Sequence, residues 1–198
     1  LRLEALRATD IKNPDYFHKV VDCQWACPAH TPVPEYIRMI AAGRYADAYM
    51  VNWKSNVFPG ILGRTCDRPC EPACRRGRVE EENATKPEPV AICRLKRVAA
   101  DFKGDVSARM PQAPATRNGK RVACIGAGPS ALTVARDLAP LGYEITVFDG
   151  DPKAGGFMRT QVPRFRLPEA VIDEEVGYIT GIGNITMRTG QRVDSLKK

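Results

Sequence analysis

Arg121-Val-Ala-Cys-Ile-Gly-Ala-Gly-Pro-Ser-Ala-Leu132 decides how the second half of this chain folds. Arg121–Ile125 is a short apolar run and predicts a buried strand. Gly126 permits a tight turn, Gly128 leaves room for a close backbone approach, and Ala131 is small enough for a helix to pack on a strand. Pro129, a residue suited to a first helical turn, opens a helix to Leu141. Glu144–Phe148 is a second strand, closed by Asp149. Strand, glycine turn, helix and strand in this order open a doubly wound parallel sheet.

The helix start beyond a glycine turn presents free N–H groups and a positive dipole to phosphate. Gly126, Gly128, Pro129 and Ser130 are therefore candidate pyrophosphate contacts, and Asp149 a candidate acceptor for ribose hydroxyls. Glycine spacing alone would be weak; the flanking strands and the acidic residue give it weight. Gly155 and Gly156 would let backbone run close to a flat ligand, favouring FAD over NAD, although an ordinary loop pair has the same spacing. Cys124 reads as a small buried apolar residue. Pro168–Ile179 looks helical, and Ile185–Met187 is a candidate third strand.

Upstream, Gly104–Lys120 is rich in Pro, Gly, Ser and Ala, lacks periodicity, and predicts a linker. Before it come short helices and loops. Apolar residues recur from Pro34 to Gly43 and from Tyr45 to Trp53. A loop with Pro59, Gly60 and Gly63 follows, then an acidic, prolyl loop over Val79–Pro89 and a helix over Val90–Phe102. The expected division is a helical domain over 1–103, a linker over 104–120, and the amino-terminal part of a nucleotide-binding domain over 121–198.

Six of the seven cysteines lie in the helical half: Cys23, Cys27, Cys66, Cys70, Cys74 and Cys93. No secretory signal is visible, which disfavours a disulfide framework. Structural zinc favours Cys-x2-Cys knuckles, whereas the steps here hold three intervening residues. Iron–sulfur ligation tolerates varied spacing and draws thiolates from separate segments. Beside a dinucleotide turn, these thiolates suggest electron passage between a metal centre and a flavin or nicotinamide. The 198 residues, 43% of them hydrophobic, suit one or two small domains. No run of about 18 apolar residues occurs, so no transmembrane helix is expected. The formal charge of +7 has no aromatic interleaving or recognition motif, which argues against nucleic acid. Arg64, Arg68, Arg75, Arg76 and Arg78 cluster around the middle cysteines, where cations would raise the potential of an anionic cluster.

Asp22-Cys-Gln-Trp-Ala-Cys-Pro-Ala-His-Thr-Pro-Val-Pro34 resembles the amino-terminal cluster domain of the glutamate synthase small subunit and of dihydropyrimidine dehydrogenase. Gly63-Arg-Thr-Cys-Asp-Arg-Pro-Cys-Glu-Pro-Ala-Cys74 and Pro89-Val-Ala-Ile-Cys-Arg-Leu-Lys-Arg97 resemble it too. The likeness continues through Gly126–Leu132 and Gly155–Pro168. It implies an α-helical iron–sulfur domain followed by the start of an α/β Rossmann-like FAD-binding domain, incomplete in these residues. It further implies an NAD(P)H-dependent oxidoreductase in which NADP(H) binds through a domain not in this chain. Electrons would pass by FAD and [4Fe–4S] to a redox partner subunit or fused acceptor module, in a cytoplasmic hetero-oligomer. The family holds two clusters, but two of its cysteine positions are Asp15 and His18 here. Cys23 and Cys74 are then what is left of the first site. The second takes Cys27, Cys66, Cys70 and, on the following helix, Cys93; a set with Cys74 or Cys23 in place of Cys93 stands as its alternative. No protein acid–base group is expected to be catalytic. His30, in a Pro-rich loop, is expected to be structural. The alternative function is a non-catalytic iron–sulfur adaptor, which would carry iron and no flavin.

Overall fold

The computed structural model describes residues 21–78 and 87–197. Asp15, His18 and most of the acidic stretch after Val79 lie outside them.

Each helix follows from its sequence pattern. Helix α1 is the short Asp22–Ala26, which begins on Asp22 and gives way to extended backbone at Cys27. Helix α2, Val33–Ala41, carries Pro34 in its first turn and turns Val33 and Tyr36 into the core. Helix α3, Tyr45–Ser55, buries Ala48, Tyr49, Asn52 and Trp53, a spacing of one helical face. Helix α4, Pro59–Thr65, occupies the stretch expected to be a loop. Its prolyl start fits a first helical turn, and its glycines permit close packing. A Cβ on Gly63 would lie 2.9 Å from Arg97 Cα. Arg97 belongs to helix α5, Ile92–Phe102.

Beyond Lys103, Val106 and Met110 are buried in the core, so the expected linker is anchored rather than free. Strands β1 (Arg121–Ile125), β2 (Glu144–Phe148) and β3 (Ile185–Arg188) form a parallel sheet in the order β1-β2-β3. Arg121 pairs with Glu144 and Ile125 with Phe148; Ile145 pairs with Ile185. Helix α6, Pro129–Leu138, links β1 to β2. A short α7, Phe157–Thr160, and helix α8, Glu169–Thr180, follow. Strand β1 departs from expectation: its residues alternate between exposed and half-buried, and Ile125 is 51% exposed. The cause is position, since β1 is an edge strand that pairs only with β2.

One apolar core joins the two halves. Tyr49, Trp53, Phe58 and Ile61 pack in the same cluster as Leu132, Ile145, Ile172 and Ile179. Glu175 of α8 is 1% exposed at this junction. Its carboxylate accepts from Tyr49 Oη at 2.9 Å, Gly60 N–H at 2.7 Å and Ile61 N–H at 3.0 Å. Those two N–H groups belong to the first turn of α4, which has no intrahelical acceptor for them. Desolvation raises the Glu175 carboxyl to about 7 against the opposing pull of these donors. Arg136 donates to the Trp53 carbonyl at 2.9 Å and lies 4.7 Å from its ring centroid. Arg166 donates to the Arg64 carbonyl at 3.1 Å.

Candidate functional site

The six amino-terminal cysteines come from three places in the fold. Cys23 lies on α1, and Cys27 where that helix ends. Cys66, Cys70 and Cys74 lie on and after the end of α4. Cys93 lies in the first turn of α5. Local backbone explains their aim. Arg68 has a positive φ of 62°, and its N–H donates to Cys66 Sγ at 3.3 Å. The chain then advances in turns, with Glu71 N–H on the Arg68 carbonyl and Cys74 N–H on the Glu71 carbonyl. The Glu71 side chain accepts from Cys93 N–H at 3.1 Å, capping α5 and tying it to the cysteine turns. Thr31, held by Asn56 at 2.9 Å, lies 3.5 Å from Cys27 Sγ.

The thiols fall into two groups. Cys93 hydrogen-bonds with both Cys66 and Cys70, and Cys70 feels the charge of Cys27. Cys23 instead feels Cys74. The hydrogen bond with Cys93, then burial, pushes the Cys66 thiol far up, while its bond with Cys93 holds Cys70 down. Cys93 is pushed up to about 11: its bond to Cys66 lowers it, but its bond to Cys70 and burial outweigh that. Burial and then Cys74 raise Cys23. Tyr36, fully buried, donates to the Ile92 carbonyl at 3.2 Å. Burial, Cys70 and Cys93, with smaller effects from Cys23 and Cys27, hold its phenol protonated.

Among the described residues, no three His, Cys, Asp or Glu side chains converge tightly enough to hold a single ion. A polynuclear centre, itself several atoms across, asks instead for donors spaced around a volume. Four thiols from three segments, with Cys70 and Cys93 buried, are a donor set whose chemistry fits a four-thiolate iron–sulfur centre.

Of the five arginines expected around this group, the Arg78 side chain lies outside the described residues. The others are drawn into local contacts: Arg64 to Asp101 at 2.6 Å, Arg75 to Asp22 at 3.0 Å, Arg68 to Glu71 at 3.8 Å, and Arg76 to the Glu88 carbonyl at 2.7 Å. Sequence reasoning missed Lys96, which is 5% exposed on α5. Its spacing of three from Cys93 was the available signal, since residues so spaced share a helix face. Its charge eases ionisation of Cys66, Cys70 and Cys93.

In the second half, Gly126 adopts φ 94°, closed to ordinary side chains. Gly128 has ordinary φ, and a Cβ there would meet nothing within 4 Å. Packing therefore does not require glycine at 128, whereas a pyrophosphate approaching the helix start would. Gly156, at φ 51°, presses directly on it: a Cβ there would lie 2.9 Å from Gly128 Cα. Gly155 N–H donates to the Ala127 carbonyl at 2.8 Å. The glycine pair thus packs on the dinucleotide turn itself. Asp149 has a bracing role unseen in the sequence. One carboxylate oxygen accepts from Ala127 N–H and the other from Asp151 N–H at 2.7 Å.

A cavity of about 530 Å³ beside the cysteines is lined by Cys66, Cys93, Asp101, Phe165 and Arg166 among others, and no residue of the glycine turn lines it. Phe165 is 91% exposed. His30, at φ 46°, stacks on Trp25 at 5.3 Å, and its N–H donates to the Cys27 carbonyl at 2.9 Å, closing the turn after that cysteine.

Residues 16–107 match the family described as dihydropyrimidine dehydrogenase domain II, 4Fe-4S cluster. Residues 124–188 match the NAD(P)-binding Rossmann-like domain. The chain is 35% identical over 185 residues to the NADP(+)-dependent formate dehydrogenase subunit beta of Moorella thermoacetica, covering 86% of this chain and 26% of that one. It is 32% identical over 182 residues to the NADPH-Fe(3+) oxidoreductase subunit beta of Geobacter sulfurreducens, covering 88% of this chain and 26% of the relative. It is 32% identical over 163 residues to an NAD-dependent dihydropyrimidine dehydrogenase subunit PreT homolog of Salmonella typhi, covering 81% and 38%. The chain spans between about a quarter and two-fifths of the length of these relatives. No helix among the described residues is long and apolar enough to cross a membrane.

Proposed function

We propose, from the premise that residues 16–107 are a [4Fe–4S] domain of the dihydropyrimidine dehydrogenase domain II family and 124–188 a Rossmann-like region, that this chain is the electron-transfer module of an NAD(P)H-dependent oxidoreductase. When bound, a flavin supplies hydride acceptance and an iron–sulfur centre supplies one-electron steps. Cys27, Cys66, Cys70 and Cys93 hold one [4Fe–4S] centre, while Cys23 and Cys74 are what is left of another. Gly126, Gly128, Pro129 and Ser130 bind the FAD pyrophosphate through backbone N–H groups. Asp149 orders that turn through Ala127 N–H and shares its remaining lone pairs with ribose. Gly155 and Gly156 hold the turn closed from the other side.

The observation that carries the reading is that one apolar core joins the half that carries Cys66, Cys70 and Cys93 to the half that carries the glycine turn. Glu175 and the shared core hold α4 against α8. Phe165 and Arg166 line the cavity beside Cys66 and Cys93. NADP(H) enters through a further domain. The electrons pass to a partner subunit or fused module in a cytoplasmic hetero-oligomer, by analogy with relatives named as subunits.

Iron, acid-labile sulfide and FAD measured on the purified protein test this. One centre gives about four iron and about four sulfide per chain, with FAD at the Rossmann half. About eight of each would mean that the Cys23 and Cys74 site is also filled. Zinc without sulfide would end the reading, and iron that never brings FAD, even with partner present, would make the chain an adaptor.

A further inference from the structure

Lys96 is the buried cation nearest in sequence to the thiol group, one helical turn after Cys93. Residues three apart lie on one helix face, so Lys96 shares the side of α5 that presents Cys93. Among the described residues it forms no ion pair, and the carboxylates nearby are engaged elsewhere. Asp101 is held by Arg64 and Arg97, and Glu71 by Cys93 N–H and Arg68. An ammonium taken out of water without a counter-charge is costly. Its field reaches three of the four thiols proposed to hold iron. A permanently anionic group among those thiols removes the cost.

We propose that Lys96 is the built-in counter-charge of the iron–sulfur centre and raises its reduction potential. The inference rests on the functional reading above. One electron, delivered by a reduced flavin or by dithionite, is added at the thiolate-held centre. No bond forms or breaks and no proton moves. The centre becomes more negative by one charge, and the fixed ammonium favours that state. Arg64, Arg68 and Arg75 contribute less because they pair with carboxylates, whereas Lys96 is buried and, among the described residues, forms no ion pair.

The experiment is a redox titration of the full chain with its cluster, followed by electron paramagnetic resonance and visible bleaching. Wild type is compared with Lys96→Met, which keeps length and loses charge, and Lys96→Arg, which keeps charge. A unit charge within about 10 Å at an effective dielectric of about 20 is worth roughly one order of magnitude. At the potential where wild type is half reduced, the reduced-to-oxidised ratio in Lys96→Met should fall about tenfold, ~59 mV for a one-electron couple. Lys96→Arg should stay close to wild type. An unchanged ratio in an iron-loaded Lys96→Met overturns the proposal. Should Lys96→Met hold no iron, Lys96→Arg decides: full loading at the wild-type potential supports the counter-charge, and failure to load overturns it. Absence of iron and sulfide from wild type is a different failure, that of the functional reading.

Discussion

Replacing Glu175 by Gln isolates the buried carboxylate that joins the two halves. In the folded protein desolvation raises this carboxyl to about 7, from an ordinary 4.5. Below pH 4.5 both folded and unfolded chains carry the proton. As pH rises past 4.5 the unfolded chain ionises while the folded one does not, so stability falls with pH. The loss ends once pH exceeds the folded value near 7. At about 1.4 kcal/mol per unit, the interval amounts to about 3.5 kcal/mol. Gln accepts from Tyr49 and Gly60 but turns an NH2 toward Ile61 N–H, an offset of about 1–3 kcal/mol that does not vary with pH. Urea unfolding followed by circular dichroism at about pH 5 and about pH 8 reads both quantities. The variant-minus-wild-type difference should move by about 2.5 kcal/mol in the variant's favour between them. Parallel stability profiles would refute the argument, because they would mean that Glu175 ionises as readily inside as in the unfolded chain.

Gly63→Ala forces a Cβ into the Arg97 backbone at 2.9 Å, so the unfolding midpoint should drop by the equivalent of about 1–3 kcal/mol. The same variant should retain less iron on gel filtration, since it parts the helices that carry Cys66 and Cys93. Gly128→Asp meets open space within the protein but crowds and charges the phosphate position. It should lose FAD while its flavin-free melting curve stays close to wild type; normal flavin absorbance would contradict the assignment of the turn.

The sequence revealed most where one residue type has one physical use. The glycine turn was legible because strand and helix patterns flank it, and β1, α6 and β2 lie where those patterns put them. Helices α2, α3 and α5 were legible from their apolar spacing. Helix α4 was not, because Pro59, Gly60 and Gly63 are breakers by propensity. Tertiary contact decides there, through Glu175 at the first turn and α5 along the side. The anchoring of Val106 and Met110 was equally hidden, as two apolar residues in a prolyl stretch show no period. Partition of the cysteines depended on a resemblance, because identical spacing of Cys66, Cys70 and Cys74 does not tell one from another. The fold separates them: Cys66 and Cys70 turn toward Cys93, and Cys74 toward Cys23. The pairing of Arg75, Arg68 and Arg64 with Asp22, Glu71 and Asp101, and the burial of Lys96, are three-dimensional facts without a linear trace.

Helix α4 is seven residues long, about 10 Å from end to end. Helices curve over radii of about 60–100 Å, so a rod this short does not bend appreciably. One end is bolted to α8 by a carboxylate, and the other terminates in Cys66. The position of that sulfur is therefore machined from the nucleotide side of the molecule, and a shift of α8 would arrive at Cys66 undamped. The distance between Cys66 and α8 has a mechanical tolerance set by one short strut rather than by a hinge.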